Sequence, residues 1–376
     1  MSTPYLLEPL PLRPLDAQLL IEPVGEANRQ LALYEGIVRG LPNPNLLLAP
    51  FMTQEAVLSS RIEGTQATLD EVYEQEAGVL FEQAKSDDIQ EIINYRRAMD
   101  LATYSLCHRE LSLALIRELH AVLLSGVRGE GKRPGSFRRE QNWIGPKGCA
   151  MEKATYVPPD PLRVDLLMDN WLSYVSSPKE GDPLIQAAVM HAQFELIHPF
   201  LDGNGRIGRL LIPLFLYERG VLRHPVFYMS AYLEANRDEY CALLNNVHQH
   251  GHWENWIVFF LRGVAEQARE NRCRAEALKQ YYEVVKDALR KATHSEYAGL
   301  LQDTLFEMPV YTIPQFIRRV RVKEPDILET TLRSLLGKVC RNSGVVRCVR
   351  PGKGRSSALY MAERILSIAS GRAEEQ

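Results

Sequence analysis

The residues best suited to chemistry lie in one run of twelve, from His198 to Arg209, which reads His-Pro-Phe-Leu-Asp-Gly-Asn-Gly-Arg-Ile-Gly-Arg. Glycines with an asparagine between them favour a turn through positive φ, whose backbone N–H groups form a nest for an anion. His198 can accept a proton beside that nest. The run therefore indicates base-assisted attack of a hydroxyl group on a phosphoryl group.

Other side chains of the run suit the binding of a nucleotide. Asp202 is a hard oxygen ligand for Mg2+ that bridges polyphosphate oxygens. The amides of Gly203 to Gly205 precede a helical apolar pattern, so they are expected at a helix N-terminus, where the macrodipole favours negative charge. Arg206 and Arg209 are three apart on that helix, so both can point back toward phosphates. These features predict metal-assisted transfer from a nucleotide.

The run resembles the signature of the Fic family, His-Pro-Phe-x-(Asp/Glu)-Gly-Asn-Gly-Arg-x-x-Arg, without departure. The resemblance implies transfer of AMP from ATP to a hydroxyl side chain (Ser, Thr or Tyr) of a target protein, with release of pyrophosphate. It implies that His198 is the base, that Asp202 holds Mg2+ and that Arg209 meets the γ-phosphate. The residues implied to bind ATP or its phosphates are Gly203, Asn204, Gly205, Arg206, Ile207, Gly208, Arg209 and Tyr240, the last in a stretch similar to the family's adenine-side helix.

Two further stretches are similar to parts of the same family, and the likeness covers most of residues 30 to 270. One is Pro134-Gly135-Ser136-Phe137-Arg138 with the segments after it, which resembles the flap that holds the target by strand addition. The implied flap residues are Trp143, Ile144, Thr155, Tyr156 and Val157. The other is Ser59-Ser60-Arg61-Ile62-Glu63-Gly64, which resembles the inhibitory signature (Ser/Thr)-x-x-x-Glu-(Gly/Asn).

The inhibitory residues implied by that second likeness are Ser59, Glu63 and Gly64. If Glu63 reaches Arg209, its carboxylate occupies the guanidinium that the γ-phosphate needs and repels the charge of ATP. The sequence therefore predicts an enzyme that inhibits itself through Glu63.

Apolar periodicity predicts a mostly α-helical protein. The resemblance implies that it has a Fic-fold helical core with a β-hairpin flap. Helices are predicted over residues 16–40, 50–62, 112–125, 164–175, 183–197, 232–249 and 252–292. Three more helices are predicted: one after a capping box at Thr68 and Glu71, one that begins at Ser86, and one that runs from the glycine turn to Gly220. Asp182 is predicted to cap the helix that delivers His198. The hairpin is predicted around Pro146-Lys147-Gly148, and residues 1 to 16 are predicted to lie extended.

The C-terminal part differs in charge and pattern. From Tyr311 to Tyr360 there are eleven Lys or Arg against three acids, whereas the whole chain has a formal net charge of −3. Helix, strand, two helices and two strands around a basic glycine loop predict a winged helix (α+β). Winged helices bind DNA but also dock proteins and mediate dimers, so DNA binding through residues 311–360 and a homodimer both stay open. The candidate phosphate contacts are Arg318, Arg319, Arg321, Lys353 and Arg355.

Length and composition bound these predictions. The 376 residues are expected to form an N-terminal helical region (1–105) with the inhibitory helix (50–64), a Fic catalytic core (106–270), a connecting helix (271–294) and the winged-helix-like domain (295–376). Six scattered cysteines have neither zinc-site nor disulfide spacing. With no signal peptide or membrane-spanning stretch, a cytoplasmic protein without a membrane partner is expected.

These features together predict a protein adenylyltransferase that uses ATP and Mg2+, is inhibited by Glu63, and modifies a target protein or itself. Two alternatives stay open. One is a de-AMPylase in which Glu63 positions a water molecule. The other is a DNA-binding regulator whose Fic core senses a nucleotide. The sequence does not identify the target or the modified residue.

Overall fold

The structure is a computed structural model, and it describes residues 4–146, 148–177, 181–354 and 357–372. These residues form a mostly helical protein with one small sheet, as predicted. The helices are α1 (Ala17–Arg39), α2 (Pro44–Leu47), α3 (Ala49–Ile62), α4 (Leu69–Glu76), α5 (Gln83–Leu106), α6 (Leu113–Leu123), α7 (Val164–Ser176), α8 (Pro183–Ile197), α9 (Asn204–Glu218), α10 (Ser230–Ala235), α11 (Arg237–His250), α12 (Trp253–Thr293), α13 (Ala298–Glu307), α14 (Ile313–Lys323), α15 (Glu329–Asn342) and α16 (Glu363–Ser370). The strands are β1 (Val310–Thr312), β2 (Arg347–Arg350) and β3 (Leu359–Met361).

The chain folds into two compact units. The first comprises Met1–Glu35, Leu58–Thr65 and Gln90–Arg269, and the second comprises Gly36–Val57, Gln66–Ile89 and Glu270–Gln376. Helices α1, α3, α5 and α12 each contribute residues to both units, so neither unit is a continuous stretch of sequence. The four-part division expected from the sequence follows the motifs along the chain and stays a prediction.

Helix α8 is the centre of the first unit. Twelve of its fifteen residues are buried, which is typical of a helix enclosed in a core. Asp182 caps its N-terminus and Pro183 is its first residue, as predicted. Helices α7 and α9 pack against it, and the indoles of Trp171 and Trp256 donate hydrogen bonds to its backbone carbonyls. The C-terminal end of this rigid helix is where His198 lies.

The second unit contains the sheet, whose antiparallel strands have the order β1-β3-β2. Strand β1 pairs Val310 with Met361 and Thr312 with Leu359. Thr312 also begins helix α14 through a capping box with Gln315. Helix α14 packs against β1, α13 and α15. The order of helices and strands agrees with the pattern expected from the sequence, and its identification as a winged helix stays a prediction.

One predicted helix, over residues 232–249, is wrong because the structure has two helices there. Helix α10 ends at Ala235 and α11 begins at Arg237, with Asn236 between them at φ −112° and ψ 33°. The Asn236 side chain donates a hydrogen bond to the Tyr232 carbonyl. A side chain that bonds its own backbone in this way competes with helix continuation. The pattern also missed α16.

The predicted β-hairpin is reduced to a single bridge between Ile144 and Tyr156. The Ile144 N–H donates to the Tyr156 carbonyl at 2.8 Å, and the Tyr156 N–H donates to the Ile144 carbonyl at 3.0 Å. Pro146 and Pro158 have no N–H to extend a ladder on either side of this bridge. Lys147, at the predicted tip, lies outside the described residues. Residues 143–157 are called the flap below.

The N-terminal residues run without helix or strand from position 4 to 16, as predicted. The Tyr5 N–H donates to the Val157 carbonyl at 3.1 Å, and Leu10 exchanges two hydrogen bonds with the Asn170 side chain. Among the described residues, no helix combines the length and the apolar character that a membrane crossing needs.

Candidate functional site

His198 ends helix α8 in a left-handed conformation, with φ 50° and ψ 59°. A residue other than glycine holds this conformation only when its surroundings enforce it. Arg138, which is fully buried, supplies that enforcement. Its Nε donates to the His198 carbonyl at 2.9 Å, and its backbone N–H donates to the Pro199 carbonyl at 2.8 Å. Arg138 therefore fixes the turn that follows α8, a role that the sequence did not reveal.

The imidazole of His198 is arranged as a neutral base. Its Nδ1 lies 3.3 Å from the Glu195 carbonyl. Because a carbonyl only accepts hydrogen bonds, Nδ1 carries the proton and Nε2 keeps a lone pair. Burial, against the opposing effect of that hydrogen bond, lowers the pKa of His198 to about 4. The ring is therefore uncharged at neutral pH and can accept a proton at Nε2.

The N-terminus of α9 forms the predicted anion nest. Gly203 precedes the helix with φ 76°, and no described side chain caps this end. The backbone N–H groups of Asn204, Gly205 and Arg206 therefore have no partner within the helix, and the helix dipole favours an anion there. The Asn204 side chain exchanges two 2.8 Å hydrogen bonds with the backbone of Phe200. Asn204 thus secures the loop through its side chain and faces the nest through its backbone.

Asp202 is the carboxylate nearest the nest in sequence, and its side chain is 41% exposed. Its Oδ1 accepts the Gly203 N–H at 2.6 Å and lies 3.4 Å from Nη2 of Arg206. Mg2+ is commonly held by one or two carboxylates together with substrate phosphates and water, so this donor fits a nucleotide-bound Mg2+. The described residues contain no group of three or more His, Cys, Asp and Glu side chains that could hold a metal. A shared site with phosphates requires no such group.

His120 is a residue of this site that the sequence did not reveal. Its Nδ1 accepts the Gly135 N–H at 2.9 Å, so its Nε2 donates to the Asp202 carbonyl, also at 2.9 Å. The ring stacks on Phe200 with 3.7 Å between centroids. Burial lowers the pKa of His120 to about 4, which keeps this tautomer neutral. His120 therefore holds the loop before α9, although within α6 it looks like an ordinary core residue.

Arg209 contacts two of the three inhibitory residues expected from the sequence, Ser59 and Glu63. Its Nη2 donates to Glu63 Oε1 at 2.7 Å and to the Ser59 carbonyl at 2.9 Å, while Nε donates to Ser59 Oγ at 2.9 Å. The Arg209 side chain is 2% exposed and that of Glu63 is 41% exposed. Gly64 ends this segment with φ 99°, a conformation that favours glycine. The end of α3 therefore contacts the last arginine of the twelve-residue run.

Gly205 lets this ion pair lie directly over the start of α9. A Cβ at position 205 would stand 2.2 Å from Glu63 Oε1 and 2.8 Å from Arg209 Nη1. Burial acts to raise the pKa of Glu63, but attraction to Arg209 outweighs it and the pKa is lowered. Glu63 is therefore ionised at neutral pH and lies where an anion would approach the nest.

Arg206 is held by a different carboxylate. Its side chain is 4% exposed, and Nη1 donates to Glu91 Oε2 at 3.1 Å. Glu91 lies in α5, its side chain is 2% exposed, and the sequence did not single it out. An acidic residue in an amphipathic helix is ordinarily a solvated one, so its own neighbourhood has no signal that predicts burial.

A small cavity of about 130 Å3 lies between the flap and helices α8 and α11. Its lining residues are Ile144, Thr155, Tyr156, Glu195, Leu196, Cys241, Leu244, Asn245 and His248. Three of these residues each have a buried atom without a hydrogen-bond partner among the described residues, namely Glu195 Oε1, Asn245 Oδ1 and His248 Nδ1. Burial also raises the pKa of Glu195 to about 7. Apolar walls with a few convergent polar atoms are typical of small-molecule sites.

The remaining flap residues have different surroundings. Trp143 and Ile144 are 42% and 41% exposed, although Ile144 also lines the cavity. Tyr156 and Val157 are buried. The flap therefore presents exposed apolar surface through its first segment.

Three residues expected to contact ATP do not line the nest or the cavity. The Tyr240 hydroxyl is hydrogen-bonded to Nε2 of His191 at 2.9 Å, and the side chain is 4% exposed. Ile207 is fully buried in the core. A Cβ on Gly208 would stand 2.2 Å from Glu195 Oε1, so this glycine lets α9 approach α8 closely. The roles of these three in ATP binding stay predictions.

Residues 21–104 match the family model described as Fic/DOC family N-terminal, and residues 110–216 match the model of the Fic/DOC family. A protein adenylyltransferase Fic from Drosophila grimshawi is 34% identical over 137 residues, which are 36% of this chain and 26% of that protein. A probable protein adenylyltransferase from Aquifex aeolicus is 28% identical over 192 residues, 48% of this chain and 54% of that protein. The matched stretches thus span about a quarter and about half of these relatives.

Solved structures are similar to this fold. A Fic family protein from Desulfovibrio desulfuricans G20 has a TM-score of 0.59 and 18% identity, covering 96% of this chain and 98% of that chain. A Fic domain containing signaling protein from Bacteroides thetaiotaomicron has a TM-score of 0.53 and 19% identity, covering 68% of this chain and 97% of that chain. The two family models cover both the segment with Glu63 and the segment with the twelve-residue run, and the chain therefore belongs to the Fic/DOC family.

Proposed function

We propose that this chain transfers AMP from ATP to a hydroxyl group of a protein and releases pyrophosphate. The observation that carries the proposal is the neutral imidazole of His198 beside the uncapped N-terminus of α9, with Arg206 and Arg209 on the same helix. A base next to an anion site suits attack on a phosphoryl group. The same reaction is supported by the similarity to a protein adenylyltransferase and to a probable protein adenylyltransferase.

In the proposed reaction the target hydroxyl loses its proton to Nε2 of His198 while its oxygen attacks the α-phosphorus of ATP. The bond from that phosphorus to the bridging oxygen of the β-phosphate breaks, and pyrophosphate leaves with the electron pair. The backbone N–H groups of Asn204 and Gly205 stabilise charge on the phosphates. Asp202 would hold Mg2+, and the bound ion would neutralise part of the phosphate charge.

The base of the nucleotide would bind in the 130 Å3 cavity beside His198. Leu244 and Tyr156 supply apolar surface there, and the unpartnered oxygens of Glu195 and Asn245 could accept hydrogen bonds from an amino group such as that of adenine. The exposed Trp143 and Ile144 side chains offer the target an apolar surface near this cavity.

Glu63 would act as the inhibitor of the reaction. Its carboxylate occupies Nη2 of Arg209, the donor that the γ-phosphate is proposed to need, and adds a negative charge over the nest. ATP would then bind in a pose that does not align its α-phosphate with the target hydroxyl. Removing this carboxylate is therefore the way to reveal the activity.

The test uses the Glu63→Gly variant with ATP labelled at either the α- or the γ-phosphate, in the presence of a cell lysate. We expect protein to acquire label from α-labelled ATP and none from γ-labelled ATP, with no incorporation by Glu63→Gly/His198→Ala. Label from the γ-phosphate would mean phosphorylation. No label from either would refute the proposal, and release of AMP from premodified protein would favour the de-AMPylase alternative.

A second candidate function concerns the basic residues of the second unit. A cavity of about 330 Å3 there is lined by Arg318 and Arg350, together with Thr312, Gln315 and Ser357. Arg319 is paired with Glu307 and Arg347 with Glu363. In contrast, neither Arg318 nor Arg350 forms an ion pair within the described part of the chain. We propose that these two arginines contact phosphates of duplex DNA. Lys353 is exposed nearby in sequence, and Arg355 lies outside the described residues.

Fluorescence anisotropy with labelled duplex DNA tests this second proposal. The double variant Arg318→Ala/Arg350→Ala should weaken binding at least tenfold and flatten its dependence on salt, because two phosphate contacts are lost. Arg319→Ala/Arg347→Ala removes the same charge from paired arginines and should have a smaller effect. Equal effects of the two variants, or no binding at low salt, would remove the proposal.

A further inference from the structure

Glu91 is a buried carboxylate that receives three hydrogen bonds from three parts of the first unit. Its Oε2 accepts from Nη1 of Arg206 at 3.1 Å and from the Thr65 hydroxyl at 3.0 Å, and its Oε1 accepts from Nε of Arg128 at 2.8 Å. The side chain is 2% exposed, so water cannot replace these donors easily.

Through these contacts Glu91 sets the direction of the Arg206 guanidinium. Nη1 is held by Glu91 and Nη2 lies 3.4 Å from Asp202 Oδ1, so both ends of the planar group are fixed. Another donor of the fork, Nε, is buried and has no hydrogen-bond partner among the described residues. A buried donor without a partner is costly unless a ligand satisfies it. The Nε donor of Arg206 is therefore available to an acceptor that the described residues do not supply.

The same carboxylate contacts the segment that carries the inhibitory residue. Thr65 lies two positions after Glu63, and its N–H donates to the Ser60 carbonyl at 3.1 Å. Its hydroxyl donates to Glu91. The end of α3 is thus anchored to the carboxylate that holds Arg206, while Glu63 itself reaches the neighbouring arginine.

We infer that Glu91 is a positioning residue that aims Nε of Arg206 at a phosphate oxygen of the nucleotide. The inference rests on the proposed function for the identity of the ligand. Glu91 acts through Arg206 and does not itself contact the nucleotide. Its bond to Thr65 keeps the inhibitory segment in place, so that displacement of Glu63 leaves Arg206 undisturbed.

The test is a double-mutant cycle in the Glu63→Gly background, with Glu91→Gln, Arg206→Ala and both together. Glu91→Gln should lower kcat/KM for AMP transfer roughly 10- to 100-fold, as expected for loss of a charge-assisted hydrogen bond worth about 1.5–3 kcal/mol. In the Arg206→Ala background the same change should have less than about a threefold effect, because the arginine it positions is gone. If Glu91→Gln lowers kcat/KM by the same factor with Arg206 present as with Arg206→Ala, the inference is overturned.

Two controls separate positioning from folding. Glu91→Asp keeps the charge and should recover part of the lost activity. Arg128→Ala removes the most exposed partner of Glu91, which is 61% exposed, and should change kcat/KM less than about threefold. A loss with Arg128→Ala as large as that with Glu91→Gln would contradict the assignment, since Arg206 keeps its contact there.

A binding measurement distinguishes failure of this inference from failure of the proposed function. Calorimetry with a non-hydrolysable ATP analogue needs no AMP transfer, and the same cycle can be completed on its Kd. Glu91→Gln and Arg206→Ala should each weaken binding. The double variant should bind no more weakly than Arg206→Ala alone. If Glu63→Gly transfers no AMP but binding follows this pattern, the inference holds and the proposed reaction fails. Additive weakening would overturn the inference whatever the activity.

Discussion

Arg206 and Arg209 lie three residues apart on helix α9, and each forms an ion pair with a glutamate. Both guanidinium groups are buried, at 4% and 2% exposure. Their partners differ, because Glu91 is 2% exposed and Glu63 is 41% exposed. Glu91 also receives two other donors, whereas Glu63 lies at the end of a helix just before a glycine.

This difference separates a permanent part of the site from a displaceable one. A carboxylate that leaves a buried arginine must be solvated again. A carboxylate that is already partly in water changes its solvation free energy little when it does so. Under the proposed function we expect Glu63 to move aside for a phosphate while Glu91 remains in place. The same helix thus has one arginine paired with a buried glutamate and one paired with the proposed inhibitor.

The largest expected effect is on stability, and it compares the two arginines directly. Arg206→Ala leaves Glu91 buried without its buried partner, and we expect unfolding to become easier by about 3 kcal/mol. Arg209→Ala leaves Glu63 partly in water, because its side chain is 41% exposed, and should cost about 1–2 kcal/mol, mainly for the lost bonds to Ser59. Urea unfolding followed by circular dichroism measures both. Equal losses would show that the two ion pairs do not differ as their exposure indicates.

The next effect concerns the displaceable pair. Glu63→Gly should raise AMP transfer roughly 10- to 100-fold, because it removes a charge-assisted competitor worth about 1.5–3 kcal/mol from Arg209. Incorporation of α-labelled ATP into protein at fixed enzyme concentration measures the change. Glu63→Gly/His198→Ala is the control and should be inactive. Equal rates for the wild type and Glu63→Gly would sink the inhibitory role of Glu63.

A smaller rise is expected from the other side chain that holds Arg209. Ser59→Ala removes the 2.9 Å bond from Nε of Arg209 but leaves Glu63 in place, so transfer should rise about two- to fivefold. Ser60→Ala is a matched control, because Ser60 is equally buried and its Oγ has no hydrogen-bond partner among the described residues. If both variants behave alike, the bond from Ser59 does not restrain Arg209.

For the last prediction, we expect inhibition by Glu63 not to change with pH. Attraction to Arg209 outweighs burial and lowers the pKa of Glu63, so the carboxylate keeps its charge as the pH falls from 8 to 6. Inhibition should therefore be fully present throughout this range, and the ratio of Glu63→Gly to wild-type transfer should not change. Parallel pH profiles of the two proteins test this. A ratio that falls toward pH 6 would mean that protonation releases Glu63.

Local patterns predicted much of the fold because they depend on neighbours in sequence. The Asp182 cap, the Thr68 and Glu71 capping box and strand β1 agree with the structure. The break at Asn236 was missed, since one side-chain hydrogen bond decided it against a continuous helical pattern. The hairpin is shorter than its apolar residues predict, because the prolines beside them have no N–H groups to extend the ladder.

The candidate site likewise contains residues that local sequence predicted and residues that it did not. His198, Asp202 and the two arginines were found because one turn and one helix bring them together. The contacts of Arg138, His120 and Glu91 were not predicted, because they reach the turn or Arg206 across 60, 82 and 115 residues of sequence. Arg138 stands in the stretch that resembles the flap, but that likeness does not imply its contact with the turn. The sequences around His120 and Glu91 are those of ordinary helix residues.

The sequence by itself determined that a base, an anion nest and two arginines share one short segment, since spacing within a turn and a helix is set locally. The family resemblance already suggested that Glu63 pairs with Arg209, whereas only the tertiary structure decided that Glu91 pairs with Arg206. Glu63 and Arg209 are 146 residues apart, and Glu91 and Arg206 are 115 apart. The strength and permanence of each ion pair depend on burial, and burial is a property of the packed first unit rather than of any segment within it.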